Sequence, residues 1–213
     1  MYKHFFKRFL DIFISIAALP FFAIIFIIVA PLIFFTDKGP VFYCGKRIGR
    51  NGKIFKMFKF RSMMVNAPDI RTSTGSTYNG NDDPRVTKIG RILRKTSIDE
   101  IPQILNVLKG DMSIIGPRPD TPDWLTLYPE EYKVFLTVRP GITGHCQAYY
   151  RNSADEETKM KSDADYATHC TFWNDIKIIF KTIEVVLLRK NLYRDDNQAL
   201  ESSVVETEET MKK

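Results

Sequence analysis

The sequence predicts an α+β protein. An N-terminal re-entrant membrane helix is followed by a small, mostly helical cytoplasmic domain with a short β-hairpin and interfacial amphipathic helices. Three observations predict this. Residues Ile12 to Phe35 are 24 consecutive positions without a charge. Positive charge flanks that run on both sides: Lys3, Lys7 and Arg8 precede it, and Lys38, Lys46, Arg47, Arg50, Lys53, Lys56, Lys59 and Arg61 follow it, with no acid between Lys38 and Arg61. Further on, a strand-like alternation gives way to helical spacings broken by Gly and Pro.

The apolar run sets the anchor, residues 1–36. A straight helix of that length runs roughly 36 Å, enough to cross a ~30 Å hydrocarbon layer. Short basic flanks favour the cytoplasmic side, and a simple span cannot put both there. A helix that bends within one leaflet can, and Pro20 and Pro31 offer bend points, giving a helix–break–helix. A tilted spanning helix is the alternative, because membrane helices tolerate proline. A cleavable signal peptide is disfavoured, since no small-residue cleavage site precedes Asp37-Lys38.

Residues 37–194 form one domain. Asp37-Lys38-Gly39-Pro40 reads as a turn and Val41 to Cys44 as a short strand. Lys46 to Gly52 is a basic loop ending in Asn51-Gly52, a strong turn signal. Ile54 to Arg61 alternates as a strand and completes a hairpin. Ala67 to Pro84 is a polar loop of the length used for lids and binding loops. Arg85 to Lys109 contains two short helices: a basic amphipathic one around Ile89, Ile92 and Leu93, and a second carrying Ile101, Ile104, Leu105 and Leu108, stopped by Gly110. From Thr171 to Arg189, Phe172, Trp173, Ile176, Ile179, Phe180, Ile183, Val186 and Leu187 form one face of a long helix, suited equally to core packing and to contact with a membrane interface. Residues 195–213 are an acidic tail of disordered composition.

The net charge is +6, and the tail's six acids against two lysines leave +10 on the rest of the chain. A basic body beside a membrane suits anionic headgroups and phosphorylated substrates. No nucleic-acid-binding signature is present. Cys44, Cys146 and Cys170 are scattered, which suits a reducing compartment, and His4, His145 and His169 lack zinc-ligand spacing.

Ser97-Ile98-Asp99-Glu100 stands where the chain enters the second short helix. Ser-x-x-Glu is a capping-box pattern, and that alone is one reading. The other is chemical. A helix N-terminus keeps a carboxylate ionised and helps receive a phosphate. An ionised Asp can attack phosphorus, and a neighbouring Glu can ligate Mg²⁺. Arg94, Arg118 between two prolines, and Arg139 before Pro140-Gly141 offer guanidinium forks for phosphate, and Lys59 and Arg61 add charge at the membrane exit.

Several blocks in order resemble the bacterial sugar transferases, the monotopic phosphoglycosyl transferases, over roughly residues 3–192. They are Lys7-Arg8-Phe9-Leu10-Asp11, Lys38-Gly39-Pro40-Val41-Phe42, Lys56 to Met63, Asp83 to Gly90, Ser97 to Gln103, Asn106 to Ser113, Gly116-Pro117-Arg118-Pro119 and Arg139 to Gly144. The resemblance implies transfer of a sugar 1-phosphate from a UDP-sugar to a polyprenol (undecaprenyl) phosphate, with release of UMP. That is the first membrane step of capsule, exopolysaccharide, O-antigen or glycoprotein glycan assembly, on the cytoplasmic face of the bacterial inner membrane. It puts the nucleophile on Asp99, Mg²⁺ on Glu100 and phosphate binding on Arg94, Arg118 and Arg139; Asp99 as a second Mg²⁺ ligand, Lys59 and Arg61 from their charge, and the retained Gln147 complete the expected site. It also implies a re-entrant anchor and the small single-domain form, and leaves homo-oligomerisation open. The chain departs from the family pattern in lacking its Ser-Pro anchor break, where Ala23-Ile24 stands, and in having His145 where Trp is common. Two rivals are a single-step transfer in which Asp99 only holds metal, and a non-catalytic scaffold with a basic lipid-binding face.

Overall fold

A computed structural model describes residues 2–70, 78, 80, 83–150 and 154–188. Helix α1 (Lys7–Asp37) follows a π-helical turn over Tyr2–Phe6 and ends at Lys38, whose left-handed backbone returns its N–H to the Phe34 carbonyl at 2.7 Å. It is long and apolar enough to cross a membrane. It runs through Pro20 and Pro31 as one helix, so the break expected inside residues 1–36 does not interrupt it. Most of its apolar side chains, Phe13, Phe21, Ile24, Ile27 and Phe35 among them, are exposed.

Both ends of α1 are fastened to the same folded body. At the N-terminal end Lys7 pairs with Asp175 at 2.5 Å, and the Arg8 guanidinium donates to the Val107 and Leu108 carbonyls at 2.6 and 3.0 Å. Asp11 accepts from Ser113 Oγ and the Ile114 N–H. Toward the other end Val29 and Ile33 pack on Phe60 and Leu93.

Strands β1 (Phe42–Ile48) and β2 (Ile54–Phe60) pair antiparallel, with Tyr43 opposite Lys59 and Arg47 opposite Phe55. The turn between them holds Asn51 at φ 57°, a left-handed conformation that Asn tolerates. The first strand is longer than Val41 to Cys44, because the pairing consumes the first half of the expected basic loop. Of the polar loop 67–84, Tyr78 and Asp83 are buried, while residues 71–77, 79 and 81–82 lie outside the described set. The 195–213 tail does too.

Helix α2 (Lys88–Thr96) starts where Thr87 Oγ1 accepts the Gly90 N–H. The expected apolar face divides: Leu93 is buried and Ile89 packs with it, while Ile92 is exposed. Ser97 then closes α2 in a left-handed conformation (φ 57°) and makes no side-chain cap bond, so the capping box does not form. A 3-10 turn over Ile98–Glu100 leads through Pro102 into α3 (Gln103–Lys109), which Gly110 ends at φ 96°. Strand β3 (Ser113–Ile115) pairs in parallel with β4 (Gly141–Thr143), a small sheet that three-residue runs do not announce. Between them lie 3-10 segments Pro122–Thr126 and Glu130–Thr137.

Helices α4 (His145–Tyr149), α5 (Glu156–Thr168) and α6 (Phe172–Leu188) complete the body. Tyr166 of α5 and Ile178 of α6 are fully buried together. The apolar stripe of α6 turns outward: Phe172, Trp173, Phe180, Ile183 and Val186 are exposed, while Asp175 faces in to meet Lys7 and Tyr166. Most of that stripe is therefore not core packing; Ile179 alone of it packs on the Ile115, Tyr166 and Ile178 cluster among the described residues.

Candidate active site

The site grows from how α3 is attached to the hairpin. Asn106, fully buried, accepts the Phe58 N–H on Oδ1 and donates from Nδ2 to the Lys56 carbonyl, each at 2.8 Å. This satisfies two backbone groups of β2 and lays its end beside the Asp99–Glu100 turn. Lys59 then reaches Glu100 Oε1 at 2.7 Å. Arg118 reaches the same oxygen at 3.1 Å. Its loop is pinned on both sides. Gly116 N–H donates to the Thr143 carbonyl at 2.8 Å, and Asp120 accepts from Tyr128 and Lys159 on its side chain and from Ile48 N–H on its carbonyl.

Asp99 is 8% exposed, and among the described residues its carboxylate has no hydrogen-bond partner. Burial pushes its pKa up, the neighbouring Glu100 adds to this, and Lys59, Arg94 and Arg118 pull it back. Glu100 goes the other way: burial opposes its charge, but Lys59 and Arg118 outweigh that and hold it well below the ordinary carboxylate range. Adjacent carboxylates thus differ in character, one firmly ionised and immobilised, the other unbonded and poised. Arg94 is oriented by its Nε donating to Ser62 Oγ at 3.0 Å, with Asp83 3.8 Å away.

The structure brings together Asp99, Glu100, Lys59, Arg94 and Arg118. Arg47, expected in the basic loop, lies instead on β1 near Arg118: burial and that charge lower its pKa. Its signal was the strand period, which puts Arg47 on the face of Tyr43 and of Lys59 opposite it. Three expected residues lie elsewhere. Arg61 grips Asp37 with both NH groups at 2.5 Å and the Pro40 carbonyl through Nε at 2.6 Å, so it fastens the end of α1. Arg139 donates to the Gly110 carbonyl at 2.9 Å, beyond the far end of α3. Gln147 donates to the Ile142 carbonyl at 3.1 Å, and its Oε1 is buried without a partner among the described residues.

The donor set suits Mg²⁺ only as a shared ligand. No group of three or more His, Cys, Asp or Glu side chains converges among the described residues. Among the described residues the Asp99 carboxylate and Glu100 Oε2 take no hydrogen bond, and Mg²⁺ is commonly held by one or two carboxylates together with substrate phosphates and water.

The chain is similar to several characterised proteins. It is 41% identical over 208 residues to an undecaprenyl-phosphate galactose phosphotransferase of Salmonella typhimurium, covering 90% of this chain and 42% of that relative. It is 40% identical over 198 residues to the exopolysaccharide production protein ExoY of Sinorhizobium fredii, covering 88% of each. It is 38% identical over 189 residues to a UDP-N-acetylgalactosamine-undecaprenyl-phosphate N-acetylgalactosaminephosphotransferase of Aeromonas hydrophila, covering 86% of this chain and 44% of the relative. The chain thus spans less than half the length of the first and third. With a match over residues 2–189, it belongs to the bacterial sugar transferase family.

Proposed function

We propose that the chain transfers a sugar 1-phosphate from a UDP-sugar to polyprenol (undecaprenyl) phosphate at the cytoplasmic face of the bacterial inner membrane, releasing UMP and opening the assembly of a surface glycan. The observation that carries this is Asp99: a buried carboxylate with no hydrogen-bond partner among the described residues, in the field of Lys59, Arg94 and Arg118, beside a Glu100 whose charge is fixed. The relatives' names supply the substrate class.

In the first step an Asp99 oxygen attacks the sugar-bearing phosphorus. The bond from that phosphorus to the bridging oxygen breaks, and UMP leaves with the electron pair. In the second step a phosphate oxygen of the polyprenol attacks the same phosphorus, the bond to Asp99 breaks, and the carboxylate is regenerated. Splitting the reaction this way gives ping-pong kinetics. Lys59 and Arg118 fix Glu100 and add positive charge, and Arg94, steadied by Ser62, adds further positive charge from the α2 side. Asp99 and Glu100 would hold Mg²⁺, which when bound offsets the diphosphate charge.

A re-entrant anchor that enters and leaves on one face is part of this reading: Lys7 at one end pairs with Asp175 and Asp37 at the other with Arg61, which ties both ends of the unbroken α1 to one body and supports it. The exposed stripe of α6 supplies apolar surface for the same interface. The test of the chemistry is mass spectrometry of full-length protein treated with UDP-sugar before acceptor is added. A phosphosugar adduct on Asp99, absent in Asp99→Asn, is expected. UMP release and product formation without any adduct would overturn the two-step reading.

A further inference from the structure

A second cluster of cations lies beyond the C-terminal end of α3. The seven residues of that helix rise roughly 10 Å, so the cluster is separate from Asp99 and Glu100 at the other end. A cleft there is lined by Lys3, Lys7, Arg8, Arg50 and Arg139, with Asp11 as the acid among its lining residues. Part of this charge has a structural use. Lys7 is neutralised by Asp175, Lys3 donates to Thr137 Oγ1 and the Ala167 carbonyl, and Arg8 and Arg139 bind the Val107, Leu108 and Gly110 carbonyls at the end of α3. Asp11 Oδ1 is taken by Ser113 Oγ and the Ile114 N–H.

Arg50 has no such use. Its Nε is buried without a partner, and none of its guanidinium groups makes a hydrogen bond among the described residues. It faces Arg8 and Arg139 closely enough that these like charges, after burial, help lower the pKa of Arg139. With Asp11 and Asp175 counted, five cations leave a net charge of +3 in one cleft. Gathering three guanidiniums around an unfilled donor costs folding energy unless an anion joins them. A phosphate matches the planar forks. The cleft also opens beside the first turns of the chain, where Phe5, Phe6 and Phe9 are 68%, 50% and 62% exposed. A ligand that is phosphate at one end and hydrocarbon at the other fits that arrangement.

We propose that the Arg8–Arg50–Arg139 cleft is a second binding site, distinct from the Asp99 centre, that takes the phosphate of an anionic phospholipid headgroup. The proposal does not depend on the reaction assigned above.

The test titrates detergent-purified full-length protein with dihexanoyl phosphatidylglycerol and counts bound lipid by native mass spectrometry. One lipid per chain is expected, bound about tenfold more weakly by Arg50→Ala, as for loss of one charge-assisted contact. Arg50→Lys, which keeps the charge but not the fork, should recover part of that loss and guards against a folding defect in the alanine variant. Glu100→Gln should bind like wild type. Wild-type affinity in Arg50→Ala overturns the site. Loss of binding in Glu100→Gln overturns it by moving the lipid to the dyad. If inorganic phosphate displaces the lipid at equal concentration, the occupant is a free phosphate and the lipid assignment fails. Equally tight binding of dihexanoyl phosphatidylcholine overturns the requirement for net negative charge.

Discussion

Arg61 separates two roles that the sequence alone does not, and Asp37→Asn tests the difference. The Arg61 side chain is 8% exposed and that of Asp37 25%. The asparagine keeps the shape but removes the charge that two guanidinium NH groups grip at 2.5 Å. Hydrogen bonds to charged groups contribute about 1.5–3 kcal/mol, and breaking a fully buried ion pair costs about 3–5 kcal/mol. Asp37 is partly solvated and the Pro40 carbonyl still accepts from Arg61 Nε, so the estimate falls to about 2–3 kcal/mol. For a chain of this size each kcal/mol moves Tm by about 2–4 °C, which gives a drop of about 5–10 °C in detergent-purified protein. Arg61→Lys, which cannot form the fork, should fall in the same direction. The KM for the UDP-sugar should stay within about twofold of wild type in both, since no lost contact of this size touches donor. A wild-type Tm with a donor KM raised tenfold or more would refute the reasoning and return Arg61 to the phosphate-binding set.

Three further outcomes follow from the same geometry. Protonated Asp99 cannot attack phosphorus, and burial raises its pKa, so kcat should rise with pH through a limb above the usual carboxylate value of about 3.9. Lys59 favours the ionised form of Asp99; removing its charge in Lys59→Met means the proton is held to higher pH, and the limb should move upward in a pH–rate profile. A limb that stays fixed or moves down removes Lys59 from the site. Asn106→Ala leaves the Phe58 N–H and the Lys56 carbonyl without their partner and should cost about 2–4 kcal/mol in urea unfolding, a loss under 1 kcal/mol counting against it as the link between hairpin and α3. Gly90→Ala would put a Cβ 1.8 Å from the Ser62 carbonyl oxygen, so α2 must shift. Because Ser62 also orients Arg94, both stability and kcat should fall, and an unchanged kcat would separate Arg94 from the reaction.

The parts of the fold that were legible are those fixed by local chemistry. Charge-free length announced α1, Asn51-Gly52 the hairpin, and Gly110 the end of α3. Long-range pairing was less so. β3 and β4 are three residues each and pair across an interval filled by 3-10 segments, so no period could reveal them. The Ser97-x-x-Glu100 pattern misled because Glu100 has stronger partners than the Ser97 backbone: two cations on one oxygen. Ser97 is left to close the preceding helix instead. The α6 stripe shows the limit of amphipathic reasoning in a membrane-associated chain, where the apolar face can be the outer one and the buried face can carry Asp175.

The arginines make the same point about the site. Sequence context identified which of them sit in rigid loops but not which anion each faces, because a guanidinium reaches several ångströms from its backbone and its nearest acid is set by tertiary contacts. Arg61 found Asp37, 24 residues away, Arg118 found Glu100, 18 residues away, and Arg139 found a helix carbonyl and two other arginines. Only one of these three is in the neighbourhood of Asp99, and it is the one whose loop is pinned from both sides. The two ends of α3 therefore carry different jobs. At its N-terminal end, cations surround two acids and leave one of them unbonded. At its C-terminal end, cations surround little negative charge at all. On the proposed reaction the first arrangement serves the chemistry, and on the proposed lipid site the second would hold the anchor in register with the headgroups.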